Sequence, residues 1–480
     1  MDSVTGALAL FESISCRSSI LRLMGLALCV FGTAQAQPAS TLSWEPFSLK
    51  PRGQPEVAAE RAQLNVPLRH AQPTGASITL NIVRLPALQP GADAAPVVYL
   101  AGGPGGSGVS AALGARWPIF AAVRRDRDVI LLDQRGTGAS SPPPACPHKV
   151  EIVPSRGYGH AESLRAFQDN AARCMAFWRE KGLDPNAFNT AESAADLAAL
   201  QRALNARALS LWGMSYGTHL ALAALKQPGL TVDRLLLMGT EGPDQTIKLP
   251  LDADALLAQI GIANRKPDLA ADLRKWVDKL NREPIRLTES QPMVITGFDL
   301  QLLTAAMLGR RQTSNMLPLL LRELEGGRSE ALAQALVRLT QAAQPPGLMS
   351  LAMDIASGAS PARLAKVREQ ESQSVLGAAL NFPFPQIGDG LGVGDLGEAF
   401  RADPKTDRPT QFVSGEFDGR TPPSNVTAIE RGFSQRGHWL VEGAGHDDEL
   451  WLTSSKLAEL IVLFFNGAAP SDQRLSATSR

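Results

Sequence analysis

Apolar positions along this chain fall into two periods, and their order predicts the architecture. Short strand-like runs occur at 95–100, 127–132, 208–212 and 232–238, and again at 410–413 and 438–441, the first of continuous apolar character. A strand reads this way when helices cover both of its faces. Between these runs, apolar residues recur at helical spacing in 161–182, in 192–205 and in the alanine- and leucine-rich stretch after residue 216. Thr190 or Ser193 is the expected cap of the second of these helices. The repeated strand–helix–strand order predicts an α/β fold with a mostly parallel sheet and helices on both faces. Runs at 42–49, 62–68 and 76–85, the last alternating through Ile78, Leu80 and Ile82, predict an antiparallel edge built from early hairpins.

Residues 250–401 have a different texture. Helical spacing dominates at 253–262, 269–280, 302–308, 316–324 and 329–340, and strand-like runs are few. The expectation is a large helical cap inserted between two parts of the sheet. A final helix at 451–465 should cover one face. The predicted division is therefore 37–245 for the first part of the core, 246–400 for the cap and 401–480 for the second part.

The N-terminus reads differently again. Arg17 and Arg22 precede an apolar stretch at 23–31, and Ala34-Gln35-Ala36 supplies a small-x-small cleavage pattern. A secretory signal peptide over 1–36 is expected, cut before Gln37, with an apolar run too short for a permanent membrane anchor. The long leader with Asp2 and Glu12 fits a signal peptide less well, and a start codon assigned too far upstream would explain it. Lipidation at Cys29 is disfavoured by the bulky Leu28 before it. The mature chain should be exported, to the periplasm or the extracellular space, without stable membrane insertion.

Export changes the reading of the cysteines. The chain has four, and cleavage removes Cys16 and Cys29. Cys146 and Cys174 then read as a disulfide, with two buried free thiols as the alternative; nothing nearby completes a metal-ligand set. Charge is balanced, 47 basic against 47 acidic residues with no basic block, so nucleic acid is not an expected partner.

Candidate chemistry gathers at the strand ends. The strand at 208–212 runs into Gly-Met-Ser-Tyr-Gly at 213–217, followed directly by helical sequence. A serine at the apex of such a strand–turn–helix presents its hydroxyl above the sheet, and the helix N-terminus favours negative charge beside it. Ser215 is the candidate nucleophile; a tight turn with a solvated serine is the bland alternative. The strand at 95–100 ends in the glycine-rich run 101–108. It lacks the Gly-Lys-Ser/Thr ending of a phosphate loop and the spacing of a dinucleotide loop, so no cofactor is expected. It suits an oxyanion loop, with N–H donors from Gly102, Gly103 and Tyr216. Asp133 and Arg135, after the strand at 127–132, read as a scaffold that fixes neighbouring loops.

A serine nucleophile needs a base, and the base needs an orienting carboxylate. Of the six histidines, His438 and His446 lie after the sheet resumes, and His446 follows a strand through a glycine turn. His446 is favoured as the base; His438 begins a strand, and His219 belongs on the helix leaving Ser215. Asp418 is favoured as the acid over Glu416, with Asp447 and Asp448 as outsiders.

The motifs together resemble one family. Gly-Gly-Pro-Gly-Gly-Ser-Gly at 102–108, Asp-Gln-Arg-Gly-Thr-Gly-x-Ser at 133–140 and Gly-x-Ser-Tyr-Gly-Thr at 213–218 occur in order. With Gly-x-x-Asp-x-x-Thr-Pro at 415–422 and Gly-Ala-Gly-His at 443–446, they look like the proline iminopeptidase and tripeptidyl aminopeptidase branch of the α/β-hydrolases. The resemblance covers about 60–245 and 405–465. It implies an exopeptidase that acts on peptides with a free N-terminus and a helical cap that shapes specificity. Ala101 departs from the pattern, standing where proline iminopeptidases usually carry histidine, which favours the secreted tripeptidyl-aminopeptidase-like side. An esterase or lipase would use the same triad, and a non-catalytic hydrolase-fold binding protein is the rival from another class. Epoxide hydrolases and dehalogenases need a carboxylate where Ser215 stands.

An aminopeptidase must also hold a protonated amine away from water, which requires a carboxylate partner. Glu241, in a glycine-flanked turn directly after the strand at 232–238, is the candidate; a solvated or structural glutamate, or another acid in the cap, are the alternatives.

Overall fold

The computed structural model describes residues 42–478, apart from 92–93, 289–291 and 343–345. The expected signal peptide, with Cys16 and Cys29, lies outside the described residues. The chain begins with three antiparallel strands, β1 (Glu45–Leu49), β2 (Val57–Pro67) and β3 (Ser77–Leu85). Then come β4 (Val97–Leu100), β5 (Val129–Leu132), β6 (Leu209–Met214) and β7 (Val232–Met238). A helical insertion carries a small antiparallel hairpin, β8 (Ile285–Leu287) with β9 (Met293–Ile295). The sheet resumes with β10 (Thr410–Gly415), β11 (Arg436–Val441) and β12 (Gln473–Leu475).

The strand order in the sheet is β1-β2-β3-β5-β4-β6-β7-β10-β11-β12. From β5 to β12 every neighbouring pair is parallel. The antiparallel edge is β1, β2 and β3, with β3 joined antiparallel to β5. Sequence periodicity accounts for this layout. All four residues of β4 and of β5 are buried, because helices cover both sheet faces. Alternation along each strand divides those side chains between two cores. Val98 and Leu100 join the cluster packed under the helix Thr190–Ala203, whereas Val97 and Tyr99 join the one packed under Trp117–Val123 and Lys456–Phe465.

Register decides where the chemistry gathers. Leu100 pairs with Gly213, Met214 with Met238, and Gly415 with Val441. The C-terminal ends of these parallel strands are therefore level, and the loops that follow them converge on one edge of the sheet.

The structure differs from the sequence reading in several elements. The helix at 190–203 is capped by Asn189, whose side chain accepts the Glu192 N–H, rather than by Thr190 or Ser193. The helix expected at 451–465 is two, Asp448–Leu452 and Lys456–Phe465. Two insertion helices, Leu348–Ser357 and Pro361–Glu371, and the strands β8, β9 and β12 were not anticipated. The insertion packs its own core, in which Leu257, Leu273, Leu280 and Leu321 meet Phe417 from the turn after β10. No helix among the described residues is long and apolar enough to cross a membrane. Cys146 and Cys174 form a disulfide.

Candidate active site

Ser215 sits between β6 and the helix Tyr216–Ala224 with φ 54° and ψ −125°, a conformation L-residues rarely adopt. Its backbone is tied on both sides: its N–H donates to the Met238 carbonyl at 2.9 Å, and its carbonyl accepts from the Thr218 hydroxyl at 2.6 Å. A Cβ at Gly217 would overlap the Leu100 carbonyl oxygen, so only glycine lets the helix start this close to β4. The glycine-rich loop comes equally near: a Cβ at Gly102 would stand 2.9 Å from that of Ser215. The loop is held from below by Asp133, which accepts the Ser107 hydroxyl at 2.5 Å and the Ala139 N–H at 3.0 Å. Arg135, fully buried, makes a bidentate pair with Asp196 at 2.8 and 2.6 Å and donates to the Ala187 carbonyl. Both residues are the scaffold that their position suggested.

On the other side of Ser215 stands His446. Its Nδ1 lies 2.7 Å from Asp418 Oδ2, and both side chains are buried. Asp418 also accepts the N–H groups of Arg420 and Thr421, each at 2.8 Å, and the Thr421 hydroxyl at 2.8 Å. Burial alone would push the Asp418 carboxyl up, but the neighbouring His446 and the Thr421 donors outweigh it and hold the carboxyl below its usual range. With Nδ1 engaged, His446 Nε2 is the ring nitrogen left for a substrate. No hydrogen bond joins Ser215 to His446 among the described residues; the two line the same cavity, of about 520 Å³, together with Gly102 and Gly103.

Competing residues are occupied elsewhere. Glu416 accepts the Gly443 N–H at 2.9 Å and pairs with Arg474, which makes it part of the strand-end framework. Asp447 and Asp448 pair with Arg310 and Arg116 at the cavity rim. His438 Nε2 lies 2.9 Å from the Ser414 hydroxyl. His219 is buried between the Gly242 carbonyl and the Ser357 hydroxyl, each at 3.1 Å, and burial pushes its imidazole down.

Glu241 lines the same cavity as Ser215. Its N–H is fixed by the Thr218 hydroxyl at 2.8 Å, and only 9% of the residue is exposed. The sequence reading missed three cavity residues near it. Asp354 comes from the unanticipated helix Leu348–Ser357, Lys248 from the start of the insertion and Arg420 from the turn after Asp418. Burial, reinforced by the charge of Glu241 and opposed by Lys248, pushes the Asp354 carboxyl up to about 8. Burial pushes the Lys248 ammonium down, against the attraction of Glu241. Thr421 was also missed, although it stands in the motif that carries Asp418. Ile247, Leu380, Phe382 and Phe384 add apolar surface to the cavity lining.

The arrangement brings to one cavity a serine hydroxyl at a helix N-terminus, an imidazole paired with a buried carboxylate, and the glycine-rich loop. Comparison with known proteins agrees in kind. The family described as alpha/beta hydrolase fold matches residues 95–451. Serine protease Hip1 of Mycobacterium bovis and of Mycobacterium tuberculosis is 28% identical over 267 residues, 53% of this chain and 50% of its own. Tripeptidyl aminopeptidase of Streptomyces coelicolor is 30% identical over 169 residues, 33% of this chain and 30% of its own. The chain thus matches half or less of the length of these relatives.

Proposed function

Since the chain belongs to the α/β-hydrolase fold family, we propose that it is a serine exopeptidase acting on peptides with a free N-terminus. In this reading Ser215 Oγ attacks the scissile carbonyl while His446 Nε2 takes its proton. Asp418 holds the Nδ1–H tautomer and stabilises the imidazolium without accepting the proton. The N–H groups of Gly102, Gly103 and Tyr216 receive the oxyanion. His446 then protonates the departing amine, an acyl-enzyme remains on Ser215, and water activated by the same histidine releases it. The helical insertion acts as a cap, its apolar surface receiving the side chains at the N-terminal end of the substrate.

The observation that carries the reading is the Glu241 carboxylate. It is nine-tenths buried, it faces the cavity of Ser215, and it has no hydrogen-bond or ion-pair partner among the described residues. A buried carboxylate in that state has no cation in direct contact, although Lys248 lines the same cavity, and a substrate's N-terminal ammonium supplies one. Asp354 is the cap acid that stands with it. The names of the curated relatives, a serine protease and a tripeptidyl aminopeptidase, support peptides as the substrate class.

The test has two arms. A fluorophosphonate should label the protein at Ser215 and fail to label Ser215→Ala. Digestion of a peptide mixture, read by mass spectrometry, should release short pieces from the N-terminal end, and every remainder should keep the original C-terminus. Internal fragments from N-blocked peptides would refute exopeptidase action, and the absence of label would refute the serine mechanism.

A further inference from the structure

Two carboxylates, Glu241 and Asp354, and two cations, Lys248 and Arg420, line the cavity beside Ser215. Glu241, Asp354 and Lys248 line it together, and none of their side chains makes a hydrogen bond or ion pair with another described residue. Two unbonded carboxylates and an ammonium therefore share one side-chain cluster, in which Glu241 is buried and Asp354 and Lys248 are half-buried. Carboxylates sharing such a site do not both ionise readily, since burial and mutual repulsion act in the same direction. Local structure decides which one yields. Asp354 lies in the last turn of the helix Leu348–Ser357, where the helix dipole presents its negative end and no N–H group points at the carboxylate. Glu241 lies in the turn beyond β7, outside any helix.

We propose that Asp354 holds a proton in the empty enzyme and gives it up when a substrate's N-terminal ammonium enters, so that amine recognition is coupled to proton release. The proposal rests on the exopeptidase reading above. The balance is simple: a protonated Asp354 carboxyl and an incoming ammonium become a carboxylate–ammonium pair, and one proton leaves for solvent. Cavity charge is the same before and after, with Glu241 and Lys248 unchanged. The other groups facing Asp354 fit this role. The Tyr216 phenol, which donates to Met353 Sδ at 2.7 Å, is pushed far up by burial and stays neutral. Arg420 and His446, the latter paired with Asp418, line the same cavity. Burial and the charge of Glu241 act on Asp354 in the direction the exchange requires. Lys248 keeps the site from being so negative that it would trap any passing cation, so the arrival of a second ammonium is what ionises Asp354.

The experiment is titration calorimetry of Ser215→Ala, which binds without turning over, with a free-amine tripeptide amide and its N-acetyl counterpart. Buffers of different ionisation enthalpy at about pH 6.5, where an α-amine is protonated, report the protons exchanged. The free-amine peptide should release close to one proton and the N-acetyl peptide none. Affinity for the free amine should tighten by up to about tenfold per pH unit on the acid side of the Asp354 titration. In Ser215→Ala/Asp354→Asn the release should vanish while the free amine still binds. Tighter binding of the free amine without proton release, or release that persists in the double variant, would overturn the proposal and leave the amine site standing. Equal binding of the two peptides would instead remove the amine site, and the proposal with it. Should the double variant not fold, the buffer dependence of Ser215→Ala alone decides.

Discussion

Ser215 is held in a left-handed backbone conformation by its own N–H bond to β7 and by the Thr218 hydroxyl, so its side chain can be removed without disturbing the turn. Ser215→Ala should keep the folded spectrum and lose roughly 10⁴–10⁶-fold in kcat; His446→Ala should lose about as much, and the double variant no more, because the two act as a unit. Asp418→Asn should be severely impaired, whereas Glu416→Gln should leave kcat within a few-fold of wild type, since Glu416 serves a strand-end network. Stopped peptide-hydrolysis assays on purified variants check all five. Asp354 allows a prediction of the opposite sort. Its carboxyl is raised to about 8 in the folded protein, so folding retains a proton that the unfolded chain releases above about 4. Stability is therefore lost as pH rises across that window, and Asp354→Asn should raise Tm over wild type more at pH 8 than at pH 5. Thermal melts at both pH values test this, and a Tm difference that ignores pH would contradict it. The residues legible in the sequence, Ser215, Asp418, His446 and Glu241, each follow a strand within a glycine-bounded turn. Asp354 and Lys248 have no such local mark, and only tertiary packing brings them to the cavity.

The helix Leu348–Ser357 is the element that joins the insertion to the chemistry. At its start the Ser350 hydroxyl donates to the Pro104 carbonyl at 2.8 Å, inside the glycine-rich loop. At its end Ser357 meets His219, from the helix that follows Ser215, and Thr190. Asp354 is thus held between two anchors that both lead back to the sheet edge. Ser350→Ala removes one of them, and a hydrogen bond of this kind contributes about 1 kcal/mol. It should lower kcat/KM for a peptide several-fold while leaving a small acyl ester, which does not reach the cap, within twofold; equal losses would assign Ser350 to the loop alone. This helix escaped the sequence reading for a physical reason. Leu348, Met349, Leu351, Ala352, Met353 and Ala356 are all buried, and Ser350, Asp354 and Ser357 form only a narrow polar stripe over ten residues, so the helical period is weak. The strands β8 and β9 are three residues each, too short for alternation to show. The central sheet strands were readable from short apolar cores such as Val97–Leu100 and Val129–Leu132.

At the scale of the molecule, the disulfide closes a loop of 28 residues that leads into the helix His160–Glu180, whose Trp178 is buried in the core. On the chain-entropy view such a closure stabilises by about 3–4 kcal/mol. Cys146→Ser/Cys174→Ser should melt several degrees lower, and reductant should lower the wild type to meet it; a variant that melts with the wild type would show the loop already ordered without the bond. The mostly parallel sheet, the antiparallel edge and the run of helices between its two parts followed from hydrophobic periodicity, because they concern which faces are covered. The relation between insertion and cavity did not, because it depends on contacts between segments far apart in sequence. That relation is where the proposed specificity resides, and one ratio tests it: kcat/KM for a peptide with a free N-terminus divided by that for its N-acetyl form, in wild type and in Glu241→Gln. With an ammonium seated on a desolvated carboxylate, the wild-type ratio should be about 100 or more, and Glu241→Gln should bring it down by at least about tenfold while sparing a small acyl ester. A wild-type ratio near one would contradict the assignment of this cavity to an exopeptidase.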